Sequence, residues 1–431
     1  ASMDHECSSG GAPAGPPRPP ANASSRKRPA APTTKVKQVK KKPARTCRPT
    51  IDMLMTTILA SITTIVTETM SIYDKGFAEP WDGTTPITVG SACSGWNSEI
   101  LALEAMKIPF HHAFSCDNSK HVKKIAEFLH GYHEYFDDVM GTNFLGSAAP
   151  VQFFMAGFPC QCWSVAGRRD GFLDARGLGL IIVFLIAYIT TRRPLLFLLE
   201  NVDNIAAGDN ADSFNAIVSA LQTLTDKDNR YLYTVESQTL NCRIHGGLPQ
   251  NRRRRFIVGV LRGAQQAPLQ WPGPVTMRNL IDLMDPATDL KPFPGNLPSK
   301  SSGTKRKNVL DALKAIASDG SDPLAVPAVV DHGSSKMNYA IGYSPCLTRN
   351  RAMSHGHWVT CLQREMTTGE MLRLQGVEEW RVRGWKHIIC EGQFHAIIGN
   401  AIPLPMIERI LMRALYSASL AKQPLHDKYE D

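Results

Sequence analysis

The feature that most constrains the fold is an alternation of short apolar runs with helical patterns, which begins at Ile87 and continues past Leu224. Strand-like runs are predicted at residues 87–89, 112–115, 151–158 and 195–199, each followed by a helical pattern, at residues 98–106, 119–129, 178–191 and 213–224. Two further strands are expected at residues 231–239 and 255–261. Because helices that alternate with strands cover both faces of a parallel sheet, the pattern predicts an α/β fold with a doubly wound, mostly parallel sheet.

The chain changes character on either side of this alternation. A helical stripe is predicted over residues 51–73, and its threonines and acids argue against a membrane span. After residue 262 prolines and lysines punctuate a polar segment, which indicates a smaller, loop-rich domain. The predicted organisation is a disordered basic tail at residues 1–50, a main domain at 51–262, the smaller domain at 263–385 and a segment at 386–420 that returns to the main domain.

The basic excess of the chain lies in the tail. Residues 1–50 carry eleven of the 48 lysines and arginines but two of the 39 acids, so the remainder holds 37 of each sign. The tail lacks apolar periodicity, which predicts disorder. Two interpretations stay open: a solvating tail, or a segment that directs the protein to the nucleus or follows phosphates.

The ten cysteines are spaced irregularly, unlike a secreted disulfide framework, so a reducing intracellular compartment is expected. They form no C-x-x-C pair, and no His-x-x-x-His accompanies them. We therefore expect neither a metal site nor a thiol redox centre.

Cys160 follows an apolar run that Gly157 and Pro159 interrupt. Ligands of open α/β sheets bind beyond the carboxyl ends of the strands, where a cysteine can act as a nucleophile. Taken alone, the motif favours a structural interpretation, since free cysteines are commonly buried as small hydrophobes.

Polar residues also follow the first three predicted strands. Gly95 permits a tight turn, and Asn97 or Ser98 can cap the next helix. Asp117 and Asp138 follow the second and third strands, where they could accept hydrogen bonds from a ribose and an adenine. Together they indicate a nucleotide-like ligand, although each acid alone could be a solvated loop residue.

Glu200 comes at the end of an almost wholly apolar strand. Burial there should raise the pKa of the carboxyl group, so that it can hand a proton to a ring nitrogen. Arg252 and Arg254 share one face of a later strand and could bind a phosphate or a base edge. The alternatives are a polar strand end for Glu200 and a solvated basic edge for the arginines.

Four stretches carry a resemblance: GFPCQCWSVAGRRDGF, LLENVDN, GGLPQNRRRRFIVG and IIGNAIP. In this order and spacing they resemble the signature motifs of the cytosine-C5 DNA methyltransferases, and SACSGWNSE and LQREMTTGEMLRLQG extend the likeness from about Ile87 to Leu415. The resemblance implies a class I methyltransferase-like catalytic domain, with residues 263–385 as the target-recognition domain. DNA is then the partner, and the target cytosine must be flipped out of the duplex.

The resemblance also assigns roles in catalysis. Cys160 matches the nucleophile that adds to C6 of cytosine, and nearby positive charge is expected to lower its pKa. Glu200 matches the residue at N3 of the ring, and Arg254, with Arg252, matches the support of the base. Asn201 should shape the loop.

The same resemblance implies that S-adenosylmethionine is the cofactor, and two sets of binding residues follow from it. The cofactor set is Cys93, Gly95, Trp96, Asn97, Asp117, Asn118, Asp138, Val139, Pro159, Asn400 and Ala401. The DNA set is Gln161, Ser164, Arg168 and Gln250.

This chain departs from the family pattern in the cofactor turn. The family's turn usually begins with Phe and holds more glycines, whereas here Cys93 and Asn97 flank a single glycine, Gly95. Asparagine tolerates the left-handed conformation, so the turn can still form.

Two other functions remain as alternatives. An RNA cytosine-C5 methyltransferase could use the same fold, but the Cys-Phe-Thr tripeptide of the tRNA-methylating relatives is missing. A catalytically inert DNA-binding adaptor would have no need of Cys160, Glu200 and Arg254. The recognised DNA sequence, the choice between de novo and maintenance methylation and the oligomeric state are left open.

Overall fold

The structure, a computed structural model, describes residues 51–72, 76–163, 171–174 and 176–430. The predictions for the tail at residues 1–50 lie outside the described residues, as do those for Ser164 and Arg168. They stay predictions.

The main sheet has seven strands. They are β1 Ile87–Ala92, β2 Phe110–Cys116, β3 Glu134–Phe136, β4 Phe153–Gly157, β5 Leu196–Val202, β6 Tyr233–Asn241 and β7 Arg253–Leu261. Their order in the sheet is β3-β2-β1-β4-β5-β7-β6. The first five strands run parallel, and β7 is antiparallel to both of its neighbours. The predicted mostly parallel sheet is thus confirmed.

In the described part of the chain, twelve α-helices accompany the strands. They are α1 Ile51–Ile72, α2 Ser98–Ala105, α3 Lys120–Leu129, α4 Thr142–Ser147, α5 Ile181–Arg192, α6 Ala211–Gln222, α7 Cys242–His245, α8 Gly303–Ser318, α9 Arg349–Met353, α10 Thr368–Leu374, α11 Glu391–Asn400 and α12 Leu404–Ser417. Each helix that the sequence predicted between strands is present, with ends that differ by a few residues.

Helices cover both faces of the main sheet, so its strands are apolar on both sides. Helices α1, α4, α5 and α6 share one core with alternate strand residues such as Phe154, Phe197 and Leu199. Helices α2, α3, α11 and α12 share the other core with their neighbours Met155 and Leu198. The alternation follows because successive side chains of a strand point to opposite faces.

Helix α5 is apolar around its whole circumference, and nearly all of its residues are buried between α1 and the sheet. A helix that is apolar all round is expected to lie inside a protein, and this burial confirms the expectation. Within the residues that the structure describes, no helix combines the length and the apolar character needed to cross a membrane.

A second, smaller sheet follows the main one. Its strands are β8 Ala328–Val330, β9 Tyr339–Ile341, β10 Trp358–Val359 and β11 Arg364–Glu365, antiparallel in the order β11-β10-β8-β9. Helix α8 packs on it around a small core that contains Val309, Leu313 and Trp358. Long irregular segments connect these elements. The boundaries at residues 263 and 385 stay predictions.

The topology brings several chain segments to one edge of the main sheet. Parallel strands β1 to β5 all end at this edge, whereas the reversed strand β7 begins there. Its register places Arg254 opposite Val202 and Phe256 opposite Glu200. Strand β7 begins two residues earlier than expected because its first residues pair with β5 and with the last residues of β6.

Candidate active site

The described part of the loop that carries Cys160 is anchored on both sides of the thiol. Asn201 donates from Nδ2 to the carbonyl oxygen of Phe158 at 3.1 Å. At the other end, Asn204 and Asn210 both donate to the carbonyl oxygen of Trp163, at 2.9 and 2.8 Å. The loop that bears the thiol is therefore held by the end of β5 and by the segment that follows it.

Asn204 and Asn210 were missed as positioning residues at the sequence level. Asn204 lies in the LLENVDN stretch, so its proximity to Glu200 in the chain was the available signal. Asn210 precedes α6 and offered no such signal, because its contact with Trp163 joins residues 47 positions apart.

Glu200 and Arg254 form a buried ion pair beside this loop. The Nε atom of Arg254 lies 2.9 Å from Oε1 of Glu200, and their side chains are 13% and 11% exposed. Burial raises the pKa of the Glu200 carboxyl group, and the attraction of Arg254 and Arg252 only partly opposes this. The direction agrees with the sequence-based expectation.

The thiol of Cys160 lies within the electrostatic field of the same three groups. Burial raises the pKa of Cys160, Glu200 raises it further, and Arg254 and Arg252 act in the opposite direction. The expectation of a lowered pKa was wrong for the free protein, because desolvation of the thiolate outweighs the two guanidinium groups.

The four consecutive arginines of the GGLPQNRRRRFIVG stretch form two pairs, because successive side chains of a strand point to opposite faces of the sheet. Arg252 and Arg254 face Glu200 and the thiol loop. Arg253 instead forms an ion pair of 2.8 Å with Asp203, and Arg255 lies 3.9 Å from the same carboxylate. The shared face that the sequence predicted for Arg252 and Arg254 is present.

Arg252 connects three segments rather than facing an open cleft. Its guanidinium donates to the carbonyl oxygens of Leu347 at 2.9 Å, Gly399 at 3.2 Å and Ala401 at 2.7 Å. The residue is 1% exposed. Its position fixes the end of α11, where Asn400 is exposed and Ala401 is buried.

The structure does not bring Gln250 to a surface that DNA could reach. Its amide nitrogen, Nε2, donates to the carbonyl oxygen of Leu374 at 2.8 Å, and its Oε1 accepts from the backbone amide of Leu347 at 3.1 Å. The side chain is fully buried. In this conformation Gln250 links α10 to the segment between β9 and α9, whereas Gln161 is exposed.

Cys346 is a second thiol in this region, and the sequence analysis missed it. Its Sγ lies 3.5 Å from Nη1 of Arg252. Burial raises the pKa of Cys346, but Arg252 and Arg254 outweigh that effect, so the pKa lies below its ordinary value. No local pattern marks the residue, since Arg252 lies 94 positions earlier in the chain.

The turn between β1 and α2 is left-handed at three positions. Cys93, Gly95 and Asn97 have φ angles of 49°, 54° and 58°. The backbone amide of Gly95 donates to Oδ2 of Asp117 at 3.2 Å. An added Cβ at Gly95 would meet no atom within 4 Å, so the turn leaves open space above this residue.

The ends of β1, β2 and β3 meet beside this turn. Asp117 is partly buried and Asp138 is exposed. Desolvation raises the pKa of the half-buried Cys93 thiol, and the charges of Asp117 and Asp138 raise it further. Asn118 is exposed, whereas Val139 is buried.

The side chain of Trp96 does not line this space. It is 1% exposed, its Nε1 donates to Oγ of Ser98 at 2.9 Å, and its ring lies edge-on to Phe394. Only the backbone of Trp96 is therefore available to a ligand at the turn.

These residues fit a cofactor that carries an adenosine. The open space above Gly95 admits a ligand close to the backbone, and the Asp117 and Asp138 carboxylates can accept from hydroxyl and amino groups. Half-buried Pro159 precedes Cys160 on the neighbouring strand end. Among the side chains that the structure describes, no three His, Cys, Asp or Glu residues form a cluster that could hold a metal ion.

The turn after β1 and the thiol after β4 lie at the same edge of the sheet, because the two strands are parallel neighbours. The fold and the cofactor turn are those of the S-adenosylmethionine-dependent methyltransferases. Residues 87–415 match the family described as C-5 cytosine-specific DNA methylase, and the chain belongs to this family.

Individual relatives agree with this assignment. The Type II methyltransferase M.HaeII of Haemophilus aegyptius is 30% identical over 272 residues, which are 63% of this chain and 76% of the relative. The Type II methyltransferase M.NgoBI of Neisseria gonorrhoeae is 30% identical over 299 residues, 69% of this chain and 84% of the relative. The crystal structure of the S. pombe Dnmt2 methyltransferase shares the fold, with a TM-score of 0.51 and 15% identity over 77% of this chain and 99% of that one.

Proposed function

We propose that this protein methylates C5 of cytosine in DNA through a covalent bond between Cys160 and C6 of a flipped base. The observation that carries the proposal is the convergence of Cys160, Glu200 and Arg254 at one edge of the sheet. Each comes from a different strand end, and their chemistry is complementary. The likeness to the family and to type II methyltransferases supports DNA as the substrate.

Methylation at C5 requires an activated ring, because cytosine C5 is a poor nucleophile. In the proposed reaction the Cys160 thiolate adds to C6, the π pair of the C5–C6 double bond shifts to C4–C5, and the π pair of the C4–N3 bond moves onto N3. Glu200 donates a proton to N3 as negative charge develops there, for which its raised pKa is suited. C5 can then act as the nucleophile toward a methyl group.

S-adenosylmethionine supplies that methyl group when it is bound. The cofactor would be held beside the thiol loop by Gly95, Asp117, Asp138, Asn400 and the neighbouring backbone. Once C5 carries the methyl group, N3 returns its proton to Glu200, a base takes the C5 proton and the thiolate departs from C6. These steps restore the aromatic ring and the free enzyme.

Arg254 has two roles in this proposal. It stays ionised and keeps Glu200 oriented by the 2.9 Å contact. Its positive charge also opposes the desolvation of the Cys160 thiolate. A target cytosine would enter between these groups, and it must be flipped out of the duplex to reach them. Residues 263–385 are proposed to contact the DNA around the target base.

A covalent trap tests the proposal. DNA and tRNA that contain 5-fluorocytosine are incubated with labelled cofactor and with the native protein, Cys160→Ser or Cys162→Ser. Fluorine at C5 cannot leave as a proton does, so the native enzyme should accumulate a stable adduct on DNA. Cys162 is a buried neighbour in the same loop, which makes its replacement a matched control that should retain the adduct.

The outcomes separate the alternatives. An adduct on tRNA and none on DNA would favour the RNA methyltransferase. DNA binding without an adduct on either substrate would favour the inert adaptor and overturn the proposal. Nuclear entry rests on residues 1–50, outside the described residues, and stays a prediction.

A further inference from the structure

A chain of buried polar side chains lies beneath the cofactor turn. Asn97 donates from Nδ2 to Oγ of Ser115 at 2.9 Å, and Ser115 lies 3.1 Å from Nε2 of His112. His112 ends the chain, with Nδ1 2.8 Å from the carbonyl oxygen of Gly131. These side chains are 0%, 0% and 7% exposed for Asn97, Ser115 and His112. Neither Ser115 nor His112 takes part in the reaction proposed above.

The direction of each hydrogen bond can be derived. The Gly131 carbonyl can only accept, so Nδ1 of His112 carries a hydrogen. Burial lowers the pKa of His112 to about 4, so the ring is neutral and Nε2 is an acceptor near pH 7. Ser115 therefore donates to His112, and its remaining lone pairs accept from Asn97. The amide orientation of Asn97 is the one that satisfies this direction.

The second hydrogen of the Asn97 amide is also used. It reaches Oε1 of Glu99 at 3.1 Å, and Glu99 is itself buried, which raises the pKa of its carboxyl group. Both hydrogens on Nδ2 are thus engaged from below the turn. The Oδ1 atom of Asn97, by contrast, has no hydrogen-bond partner among the described residues although it is buried.

This arrangement has a physical reason in the backbone. Asn97 adopts φ 58°, a left-handed conformation that glycine adopts without cost and that other residues adopt only with support. The corresponding turn of the family usually holds more glycines than this one. The amide bonds to Ser115 and Glu99 supply local support that a glycine would not need.

We propose that Ser115 and His112 are positioning residues for the cofactor, which act through Asn97 to hold the turn after β1 in its left-handed form. The inference rests on the proposed function only in taking this turn as the site of S-adenosylmethionine. It makes cofactor affinity dependent on two side chains that do not touch the cofactor. It also predicts that the dependence disappears when position 97 is glycine.

A double-mutant cycle in the full chain tests this relay, the hydrogen-bonded series of side chains from His112 through Ser115 to Asn97. S-adenosylmethionine binding is measured by calorimetry for the native protein, Ser115→Ala, Asn97→Gly and the double variant. Ser115→Ala removes a buried hydroxyl that both donates and accepts a hydrogen bond. This variant should bind S-adenosylmethionine about fivefold more weakly or worse. In the Asn97→Gly background the same change should alter binding by less than about twofold, because the relay has no remaining target.

Steady-state kinetics add a measurement that a general packing defect would not reproduce. Ser115→Ala should raise KM for the cofactor and leave KM for DNA and kcat close to native. Ser237→Ala, in the edge strand β6, is the matched control and should change neither KM. If Ser115→Ala does not fold, His112→Leu removes the terminal acceptor and should give the same cycle with Asn97→Gly.

Equal losses of cofactor affinity with the native asparagine and in the Asn97→Gly background would overturn the relay, since the serine would then act by packing alone. The proposed function fails by a different result. Native protein that binds S-adenosylmethionine but forms no adduct with 5-fluorocytosine DNA would contradict the methylation mechanism, while a non-additive cycle would still support the relay.

Discussion

Nη1 of Arg252 lies 3.5 Å from Sγ of Cys346, so the candidate active site holds a second thiol beside a buried guanidinium. The pKa of this thiol is lowered, whereas the pKa of the Cys160 thiol is raised. The difference arises because Cys346 faces both arginines, whereas Cys160 faces Glu200 as well. The more acidic thiol of the pair is therefore the one that the family resemblance does not assign.

This contrast predicts the order of alkylation in the free protein. At about pH 8 iodoacetamide should modify Cys346 faster than Cys160, because the thiolate is the reactive form and both residues are half-buried. Brief labelling followed by peptide mass spectrometry gives the two rates. In denaturant the rates should become equal, and faster labelling of Cys160 in the folded protein would contradict the assigned electrostatics.

Replacement of the buried carboxyl group should slow the chemical step. Glu200→Gln keeps an acceptor for Arg254 but removes the proton that N3 requires, so single-turnover methylation should fall about 10²- to 10⁴-fold. Asp203→Asn is the matched control, because Asp203 pairs with Arg253 on the opposite face of the strand. It should cost less than about tenfold, and a comparable loss in both variants would argue against a specific role for Glu200.

The pH dependence of the native protein and of Glu200→Gln should differ. The proposed reaction needs Cys160 ionised and Glu200 protonated, and the pKa of each group lies above its ordinary value of 9.0 or 4.5. As pH rises between the two pKa values, the thiolate fraction grows while the protonated carboxyl fraction falls by the same factor. The native kcat/KM should therefore form a plateau in this range.

The Glu200→Gln variant has no carboxyl group at this position, so no protonated carboxyl fraction falls as the pH rises. Its kcat/KM for DNA should rise about tenfold per pH unit until the pKa of Cys160 is reached, since only the thiolate fraction then changes. Profiles recorded from about pH 6 to 9 compare the two proteins. Parallel profiles would show that Glu200 does not carry the required proton.

Arg252 and Arg253 are neighbours that should differ in their contribution to stability. Arg252→Lys loses the planar group that reaches Leu347, Gly399 and Ala401, and urea unfolding should show a loss of about 2–4 kcal/mol. Arg253 has a side chain that is 60% exposed, so Arg253→Lys should cost less than about 1 kcal/mol. Arg252→Lys should also raise KM for the cofactor, because Asn400 and Ala401 lose their support. Equal stability of the Arg252→Lys and Arg253→Lys variants would contradict the connecting role of Arg252.

The sequence by itself determined the elements that depend on local pattern. The alternation after Ile87 predicted the strands and helices of the main sheet, and the apolar circumference of α5 predicted its burial. The four motifs identified the family and directed attention to Cys160, Glu200 and Arg254. These features could be predicted from short stretches of sequence. The periodicity of apolar residues indicates which side chains of an element are buried, and the spacing of the motifs indicates which strand ends carry polar groups.

Only the tertiary structure decided the contacts between distant segments. The reversal of β7 set Arg254 beside Glu200, and the return of the chain after residue 340 surrounded Gln250 and Arg252 with backbone carbonyl and amide groups. The bond from Asn97 to Ser115 likewise joins two strand ends. A side chain such as that of Gln250 has the same local pattern whether it faces DNA or a buried carbonyl, because its partner is chosen by packing across the fold and not by its neighbours in the chain.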